Sequence, residues 1–201
     1  MIVVIDYGVG NLFSLVSSLK AVGANAIVSG DKEIIEKADK IILPGVGAFG
    51  DAVNKLKENG LFDLIKKKAK EGVFLLGICL GMQLLFEKSY EFGEHEGLGL
   101  IKGEILPLKQ DLFVDLKIPH IGWNSLQIIK KDRILKDVKD GDHVYFVHSF
   151  YARVSENTSS KTEYGASVTA SVSNGNVYGC QFHPEKSGDV GLKILKAFCE
   201  L

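Results

Sequence analysis

Segment 73–86 restricts the fold of this chain more than any other, because an apolar run there ends in a cysteine set between two glycines. The run predicts a buried strand, and the apolar character of residues 84–86 predicts a helix directly after it. Cys79 lies at the turn between the two. A backbone forced through so sharp a turn has no room for a Cβ two positions away, and Gly77 and Gly81 meet that requirement. The pattern predicts a nucleophile elbow.

A cysteine at this turn lies at the amino-terminal end of the following helix, whose positive end favours thiolate over thiol. Cys79 is therefore a candidate nucleophile. The alternative is that Cys79 is a small buried apolar side chain, which is the usual role of an unpaired cysteine. Because a cysteine nucleophile needs a base, a histidine with an orienting partner at another strand end distinguishes the two interpretations.

A second strand end carries such a pair. Residues 177–182 form an apolar run that leads directly into His183-Pro184-Glu185. Glu185 can accept a hydrogen bond from one ring nitrogen of His183, which selects the tautomer and leaves the other nitrogen for Cys79. A His-x-Glu sequence alone is common and usually has no catalytic role. Together with the elbow, it predicts a catalytic triad of Cys79, His183 and Glu185.

An acyl-transferring thiolate also needs hydrogen-bond donors for the oxyanion. The N–H of Leu80, at the start of the helix, is one candidate, and the glycine-rich loop 44–47 offers a second through Val46 or Gly47. Residues 45–50 also match the dinucleotide-binding pattern G-x-G-x-x-G. That function requires an acidic residue about 20 positions later at the end of the next strand. The next strand ends in the cysteine instead, so we expect no dinucleotide cofactor.

Short apolar runs and amphipathic segments alternate through the first half of the chain. The patterns predict strands at 2–5, 26–28 and 41–43, and helices that start after Asn11 and span 31–38, 51–58 and 61–71. Such alternation predicts a mainly parallel central sheet with helices on both faces. Folds of this kind place their chemistry at the carboxyl ends of the strands, where the glycine-rich loops of this chain also lie.

The pattern changes after Glu87. Strand-like runs dominate the second half, at 103–108, 118–126, 144–152, 166–172 and 177–182, and a helix is predicted at 189–198. Asn174-Gly175 is a strong hairpin signal, so this half should extend the sheet with antiparallel strands. No linker divides the chain, and we expect a single domain over residues 1–201.

Composition narrows the classes of function. A net charge of −1 offers no basic surface for nucleic acid, and no apolar run approaches the ~20 residues that span a bilayer. Three cysteines without a C-x-x-C pair predict neither a disulfide framework nor a zinc site. His143 and His148 should point to opposite faces of one strand, while His95 and His120 are isolated. We expect a cytoplasmic enzyme without a metal or other cofactor.

Several motifs in this order resemble a known family. Residues 77–83, 183–185 and 44–47 are similar to those of the class I glutamine amidotransferases. Within that class, residues 119–124 and 145–151 resemble the glutaminase subunits of imidazole glycerol phosphate synthases. The resemblance extends over essentially the whole chain. It implies the three-layer, flavodoxin-like fold of class I amidotransferases, with a mainly parallel sheet and an antiparallel extension.

The resemblance also implies a reaction and a partner. Glutamine would be hydrolysed through a glutamyl thioester on Cys79, with His183 as base and then acid, and Glu185 would orient the imidazole. Ammonia would pass to a separate barrel-shaped cyclase subunit in a heterodimer. That subunit would use it to form imidazole glycerol phosphate and aminoimidazole carboxamide ribotide in histidine biosynthesis.

Further site residues follow from the same resemblance. Those implied to bind glutamine are Gly47, Gln83, Glu91, Ser149 and Phe150, and those implied to face the cyclase are Gly10, Asn11 and Trp123. Phe150 replaces a tyrosine common in the family, at a position where the expected contact is through the backbone. Gln83 could instead cap a neighbouring loop, and Trp123 could instead be a core aromatic.

Three other interpretations remain open at this point. One is a glutaminase subunit that serves vitamin B6 synthesis or another pathway, and a second is a stand-alone cysteine hydrolase or peptidase. The third is a catalytically inactive flavodoxin-like binding module. Co-purification with a cyclase would exclude the first, and activity without a partner would indicate the second. Selective alkylation of Cys79 argues against the third.

Overall fold

The computed structural model describes residues 1–201 as a layered α/β structure. Its six helices are α1 (Leu12–Ala21), α2 (Lys32–Glu36), α3 (Phe49–Glu58), α4 (Leu61–Lys70), α5 (Leu80–Leu84) and α6 (Gly188–Cys199). Its strands are β1 (Ile2–Ile5), β2 (Ala26–Ser29), β3 (Lys40–Leu43), β4 (Phe74–Ile78), β5 (Phe86–Ser89), β6 (His95–Glu96), β7 (Ile101–Pro107), β8 (His120–Ser125), β9 (Gln127–Ile128), β10 (His143–His148), β11 (Phe150–Ala152), β12 (Thr158–Glu163), β13 (Ser167–Asn174) and β14 (Val177–Cys180). None of the helices combines the length and the apolar character that crossing a membrane requires.

The central sheet has eight strands in the order β2-β1-β3-β4-β14-β13-β12-β9. The first five are parallel, and the last three join them through antiparallel pairs. The predicted mainly parallel sheet with an antiparallel extension is thus confirmed. The hairpin predicted at Asn174-Gly175 joins β13 to β14. Two smaller sheets, β11-β7-β5-β6 and β10-β8, pack beside the central one.

Helices cover both faces of the central sheet, as the alternation of strands and helices predicted. Along β1, Val3 and Ile5 point into a core shared with α2, α3 and α4. Val4 points into a second core shared with α1 and α6. This period of two explains why the parallel strands are apolar throughout, since each residue faces one of the two cores. The predicted cap is also present, because the Asn11 side chain accepts a hydrogen bond from Ser14 N–H.

The strand order decides where the site lies. Strands β3, β4 and β14 are adjacent and parallel, with Leu43 opposite Gly77 and Ile78 opposite Cys180. Their carboxyl ends therefore lie side by side. The segments that follow these ends are the glycine-rich loop 44–47, the cysteine turn and the segment that contains His183.

The prediction of a helix through residues 84–86 was wrong at its end. Helix α5 stops at Leu84, and Phe86 begins strand β5. The physical reason is tertiary, because backbone N–H groups of segment 98–101 donate to the carbonyls of Leu84 and Leu85 at 2.8 to 2.9 Å. Those carbonyls are thus satisfied without a further helical turn.

Two of the differences from prediction in the second half have a clear physical reason. The run 144–152 is two strands rather than one, because β10 pairs with β8 and β11 pairs with β7. The chain changes partner at Ser149, whose carbonyl accepts from Leu108 N–H at 2.9 Å. Strand β12 was not predicted, because its sequence is rich in serine and threonine rather than alternately apolar. It is buried nevertheless, since its hydroxyls pair with those of β13, as between Ser160 and Ser171.

Candidate active site

The strand, turn and helix around the cysteine have the geometry that the glycine spacing predicted. Cys79 adopts φ 54° and ψ −112°, a left-handed conformation that few residues with a side chain adopt. A Cβ at Gly77 would lie 2.5 Å from the carbonyl oxygen of Gly81. A Cβ at Gly81 would lie 1.8 Å from the carbonyl oxygen of Leu43. Both glycines are therefore required by close backbone approach, and not by helix or strand preference.

The thiol of Cys79 lies in a nearly closed environment. The backbone N–H of Cys79 donates to the Cys180 carbonyl at 2.7 Å, which connects the turn to the end of the neighbouring strand. Its Sγ atom lies 3.9 Å from both Gln181 Nε2 and the Val147 carbonyl oxygen. The residue is 8% exposed. The sulfur is thus held by its surroundings while one side remains open to a pocket.

His183 and Glu185 are brought to the same place. Nδ1 of His183 donates to Oε1 of Glu185 at 2.8 Å, and both side chains are buried. The backbone N–H of His183 donates to the Tyr145 carbonyl at 2.9 Å, and Ser187 Oγ donates to the His183 carbonyl at 2.6 Å. Nε2 of His183 is buried and has no hydrogen-bond partner within the protein. The imidazole is therefore oriented from one side and free on the other.

The electrostatics of His183 follow from this arrangement. Burial by itself lowers the pKa of His183, but the nearby Cys79 sulfur and the hydrogen-bonded carboxylate of Glu185 outweigh it and raise the pKa to about 9. The imidazole therefore carries a proton at neutral pH. A positive charge beside Sγ stabilises a negative charge on the sulfur, which is the reactive form of cysteine.

Loop 44–47 packs against the start of α5. A Cβ at Gly45 would lie 2.9 Å from Gly81 N and from Leu80 Cβ, so this position admits only glycine. Gly47 has φ 92° and open space around it, and Val46 between them is 42% exposed. The two glycines thus differ: one is packed against the elbow and the other gives the backbone freedom.

Tyr7 anchors this loop through a contact that nothing in the sequence indicated, apart from the position of Tyr7 after the first strand. Its buried hydroxyl donates to the Pro44 carbonyl at 2.9 Å. Burial, with a smaller contribution from the nearby Cys79, raises the pKa of the Tyr7 hydroxyl, so it remains a donor at all ordinary pH values. The Pro44 end of the loop is therefore held in place, whereas its exposed tip is not.

One pocket of about 320 Å³ joins these parts. Among the residues that line it are nine of those predicted from the sequence, which are Val46, Gly47, Cys79, Leu80, Gln83, Glu91, Ser149, Phe150 and His183. Glu185 does not line the pocket, because it lies behind the imidazole. Sequence reasoning missed the remaining wall, formed by Pro119, Val147 and His148.

Gln83 has a more restricted role than its sequence position suggested. Its Nε2 donates to the Phe150 carbonyl and to Oε1 of Gln181, both at 3.0 Å. Both amide hydrogens are thereby used within the protein. Only Oε1 of Gln83 is left for a ligand, and it can only accept a hydrogen bond. The side chain both fastens a neighbouring loop and lines the pocket.

Glu91 reaches the pocket from the segment before β6. Its Oε2 accepts from Phe49 N–H at 2.6 Å, at the amino terminus of α3. Ala48, the cap residue of that helix, has no side chain that could do this. Burial raises the pKa of Glu91, and the bond from Phe49 opposes that rise. The carboxylate thus caps the helix that follows loop 44–47.

The residues predicted to face a partner lie outside the pocket. Asn11 is exposed and Gly10 is half-buried. A Cβ at Gly10 would lie 3.4 Å from the ring of Pro44. Trp123 is 56% exposed on β8 and meets Tyr145 edge-on, with ring centroids 6.2 Å apart. The alternative that Trp123 is a core aromatic is therefore wrong.

The isolated position of His120 in the sequence was misleading. His120 is buried, and its Nδ1 lies 3.0 Å from Nε2 of His148. His143 and His148 do point to opposite faces of β10, as predicted, since His143 is exposed and His148 is buried. Nothing in the sequence indicated the pair, because its members are 28 residues apart and meet only through the pairing of β8 with β10.

The fold and the site together are those of a class I amidotransferase, and a family model agrees. The model described as "Glutamine amidotransferase class-I" matches residues 3–200. Solved structures support the same fold. A crystal structure of a glutamine amidotransferase superposes with a TM-score of 0.75 at 21% identity, covering 99% of both chains. The structure of PurLQS from Thermotoga maritima gives a TM-score of 0.72 at 22% identity, covering 99% of this chain and 97% of the other.

More similar relatives narrow the family. Imidazole glycerol phosphate synthase subunit HisH of Lactococcus lactis is 50% identical over 201 residues, covering 99% of this chain and 98% of the relative. The subunit of the same name from Aquifex aeolicus is 52% identical over 200 residues, covering 98% and 94%. The chain belongs to the HisH family of class I glutamine amidotransferases. It is therefore an enzyme, and the alternatives of an inactive binding module and of a subunit for another pathway are set aside.

Proposed function

We propose that this chain hydrolyses glutamine through a thioester on Cys79 and passes the ammonia to a separate cyclase subunit. As a member of the HisH family, it is the glutaminase subunit of imidazole glycerol phosphate synthase in histidine biosynthesis. The observation that carries the mechanism is the free Nε2 of a buried His183, oriented by Glu185 and facing the pocket that contains Cys79.

The first half-reaction forms the thioester. The thiol proton is held at Nε2 of His183, and the thiolate of Cys79 attacks the side-chain carboxamide carbon of glutamine. The oxygen of the resulting tetrahedral intermediate becomes negative. The N–H of Leu80 and an N–H of Val46 or Gly47 stabilise that charge. The C–N bond then breaks, Nε2 gives its proton to the leaving nitrogen, and ammonia departs.

The second half-reaction releases glutamate. Neutral His183 takes a proton from water, and the hydroxide attacks the thioester carbon. A second tetrahedral intermediate forms, and the same N–H donors stabilise its negative oxygen. Its C–S bond breaks, Cys79 leaves as thiolate, and the proton remains on Nε2. Glu185 keeps Nδ1 protonated in both halves, so that Nε2 is the nitrogen that exchanges protons.

The hydrogen bonds already made in the pocket limit how glutamine can bind. The Phe150 carbonyl accepts from Gln83 Nε2 and from His148 Nδ1, so both of its lone pairs are used. A backbone contact from Phe150 to substrate must therefore use its N–H. We assign the α-ammonium of glutamine to Oε1 of Gln83 and to Glu91. Backbone groups of Ser149 and Gly47 complete the proposed site.

The interface and location complete the proposal. Gly10, Asn11 and Trp123 would contact the cyclase in a heterodimer, which the exposure of Asn11 and Trp123 outside the pocket supports. A single glutaminase domain over residues 1–201 is supported by the family match across 3–200. Three free cysteines support a reducing, cytoplasmic location.

Loop 44–47 is proposed to change its peptide orientation when the loaded partner binds. Gly47 has the freedom for this change, because no neighbouring atom lies within 4 Å of the position that a Cβ would take. Its φ of 92° would strain any residue with a side chain. Gly47→Ala should reduce partner-stimulated hydrolysis far more than stability. Gly45→Ala is a poor test, because its Cβ would press against the elbow. Normal stimulation of Gly47→Ala would refute the switch.

The decisive experiment measures ammonia release from glutamine by the purified chain, alone and with a cyclase subunit and its nucleotide ligand. Strong activation that disappears in Cys79→Ala supports a partner-gated glutaminase. Equal activity with and without the partner indicates a stand-alone amidase instead. No activity in any condition, with a proven complex, contradicts the role of Cys79. In the same titration, Trp123 emission should shift on binding, and an unchanged spectrum removes that residue from the interface.

A further inference from the structure

Two buried histidines, His148 in the pocket wall and His120 behind it, take no part in the chemical steps above. Nε2 of His148 lies 3.0 Å from Nδ1 of His120, and Nδ1 of His148 lies 2.9 Å from the Phe150 carbonyl oxygen. The ring of His120 is stacked between Phe146 and Tyr164, with centroids at 4.8 and 4.0 Å. The two rings are thus held tightly, and one of them lines the pocket.

The hydrogen bonds of the pair run in one direction only. A carbonyl can only accept, so Nδ1 of His148 must donate to Phe150 and its Nε2 must accept. Nδ1 of His120 is therefore the donor to His148, and Nε2 of His120 accepts. Nδ2 of Asn124 lies 3.4 Å from that nitrogen and also donates to the Glu163 carbonyl at 3.0 Å. None of these hydrogen bonds can exchange its donor and acceptor without breaking a neighbouring bond.

This direction of the bonds holds when both rings are neutral. Burial lowers the pKa of His120 to about 4, and burial together with the neighbouring His120 lowers the pKa of His148 to about 3. At neutral pH each ring therefore has one donor and one acceptor, as the chain of bonds requires. A role in proton exchange with substrate is not suggested by this arrangement, since neither ring has a free donor.

This series of hydrogen bonds continues toward the substrate pocket through the Phe150 carbonyl. That carbonyl also accepts from Gln83, whose other amide hydrogen goes to Gln181, and Gln181 Nε2 lies 3.9 Å from Cys79 Sγ. Removing the His148 donor would leave Gln83 as the only side chain that holds the carbonyl. The position of Oε1 of Gln83, the one polar atom of that side chain left for a ligand, depends on the same carbonyl.

We propose that His120 and His148 are positioning residues for glutamine, which hold the Phe150 backbone and through it Gln83 in the geometry that binds the substrate. The proposal rests on the proposed glutaminase function. His148 acts directly on the Phe150 carbonyl, and His120 orients His148. The pair also connects the pocket to β8, the strand that carries the exposed Trp123.

Two substitutions of His148 separate the two bonds of this ring. Asparagine places an N–H near the position of Nδ1, so His148→Asn retains the donor to Phe150. Glutamine reaches to the position of Nε2, so His148→Gln retains the contact with His120 but loses that donor. His120→Phe keeps the aromatic stack and removes both hydrogen bonds of His120. His143→Gln, on the exposed end of the same strand, is the matched control.

The first test compares two reagents that alkylate Cys79. A diazoketone analogue of glutamine must occupy the substrate site, whereas iodoacetamide needs no such recognition. We expect His148→Gln to slow inactivation by the diazoketone about fivefold to tenfold, as the loss of one hydrogen bond implies, and to leave the iodoacetamide rate unchanged. His148→Asn should restore most of the rate, and His143→Gln should match the wild type. Equal slowing by both reagents, or no slowing in His148→Gln and His120→Phe, overturns the proposal.

A second measurement distinguishes this proposal from the function on which it rests. In the glutaminase assay with the partner, His148→Gln should raise KM about fivefold to tenfold and change kcat by less than about twofold. A variant that merely folds less well would lose active enzyme, and so would lower kcat with KM unchanged. A wild-type complex that releases no ammonia contradicts the proposed function, whereas an active wild type with an unchanged KM in His148→Gln contradicts the positioning role.

Discussion

Acid should destabilise this protein through its two buried neutral histidines, and His120→Phe should show the contribution of one of them. The folded-state pKa of His120 is lowered to about 4, below its ordinary value of 6.5. Its neutral burial therefore stabilises the fold fully above the unfolded pKa and loses that contribution as pH falls from 6.5 toward 4. Phenylalanine keeps the stack between Phe146 and Tyr164 and has no proton to gain.

The magnitude follows from the two pKa values. Between about pH 7 and about pH 5, a histidine with these values costs the folded state about 2 kcal/mol relative to the unfolded chain. His148 contributes a similar loss, most of which remains in the variant because burial is the larger cause of its lowered pKa. His183 acts in the opposite sense, because its pKa is raised to about 9, so its stabilising contribution is present at low pH and is lost as pH rises toward 9. Its effect is common to both proteins and cancels in the comparison.

The assay is urea unfolding followed by far-ultraviolet circular dichroism, for wild type and His120→Phe at the two pH values. On acidification the wild type should lose about 2 kcal/mol more unfolding free energy than the variant. His143→Gln, which removes an exposed histidine from the same sheet, should follow the wild type. Parallel losses in wild type and His120→Phe would refute the reasoning, because the buried ring would then bind its proton in the folded state.

Three further predictions concern the elbow and the triad. Gly81→Ala should lower the unfolding free energy by at least about 3 kcal/mol in urea, because its Cβ would lie 1.8 Å from the Leu43 carbonyl oxygen; near-normal stability would mean that the turn can relax. Glu185→Gln should lower kcat at least about tenfold at unchanged KM in the ammonia assay, since His183 loses the carboxylate that orients it; an unchanged kcat would remove that role. Iodoacetamide should label Cys79 before Cys180 and Cys199, because burial raises the pKa of the two latter thiols; mass spectrometry follows the order of labelling. Earlier labelling of Cys180 or Cys199 would contradict the assignment of Cys79 as the nucleophile.

The sequence was most informative where one local requirement dominates. The paired glycines around Cys79 predict a sharp turn that residues with a Cβ would not allow, and the structure contains that turn. Apolar runs located the parallel strands because each of their residues faces one of two cores. The antiparallel half was harder. Strand β12 is buried with hydroxyl groups, whose partners on β13 cannot be recognised from a single segment.

The candidate site divides along the same line. Its chemical groups were identifiable, because a thiol between glycines and a histidine beside a carboxylate are unusual when both follow strand ends. The hydrogen-bond state of those groups was not. Gln83 is an acceptor only, because both of its amide hydrogens are taken by Phe150 and Gln181. His120 is a partner of His148, although no spacing in the chain relates them.

The sequence by itself thus determined which residues can react and where the backbone must turn, since both depend on neighbours within a few positions. Tertiary structure decided which strand ends meet, because the order β3-β4-β14 brings together residues more than a hundred positions apart. It also decided which polar atoms remain free for a ligand. That outcome depends on every donor and acceptor around a buried group, and in this protein those partners come from distant strands.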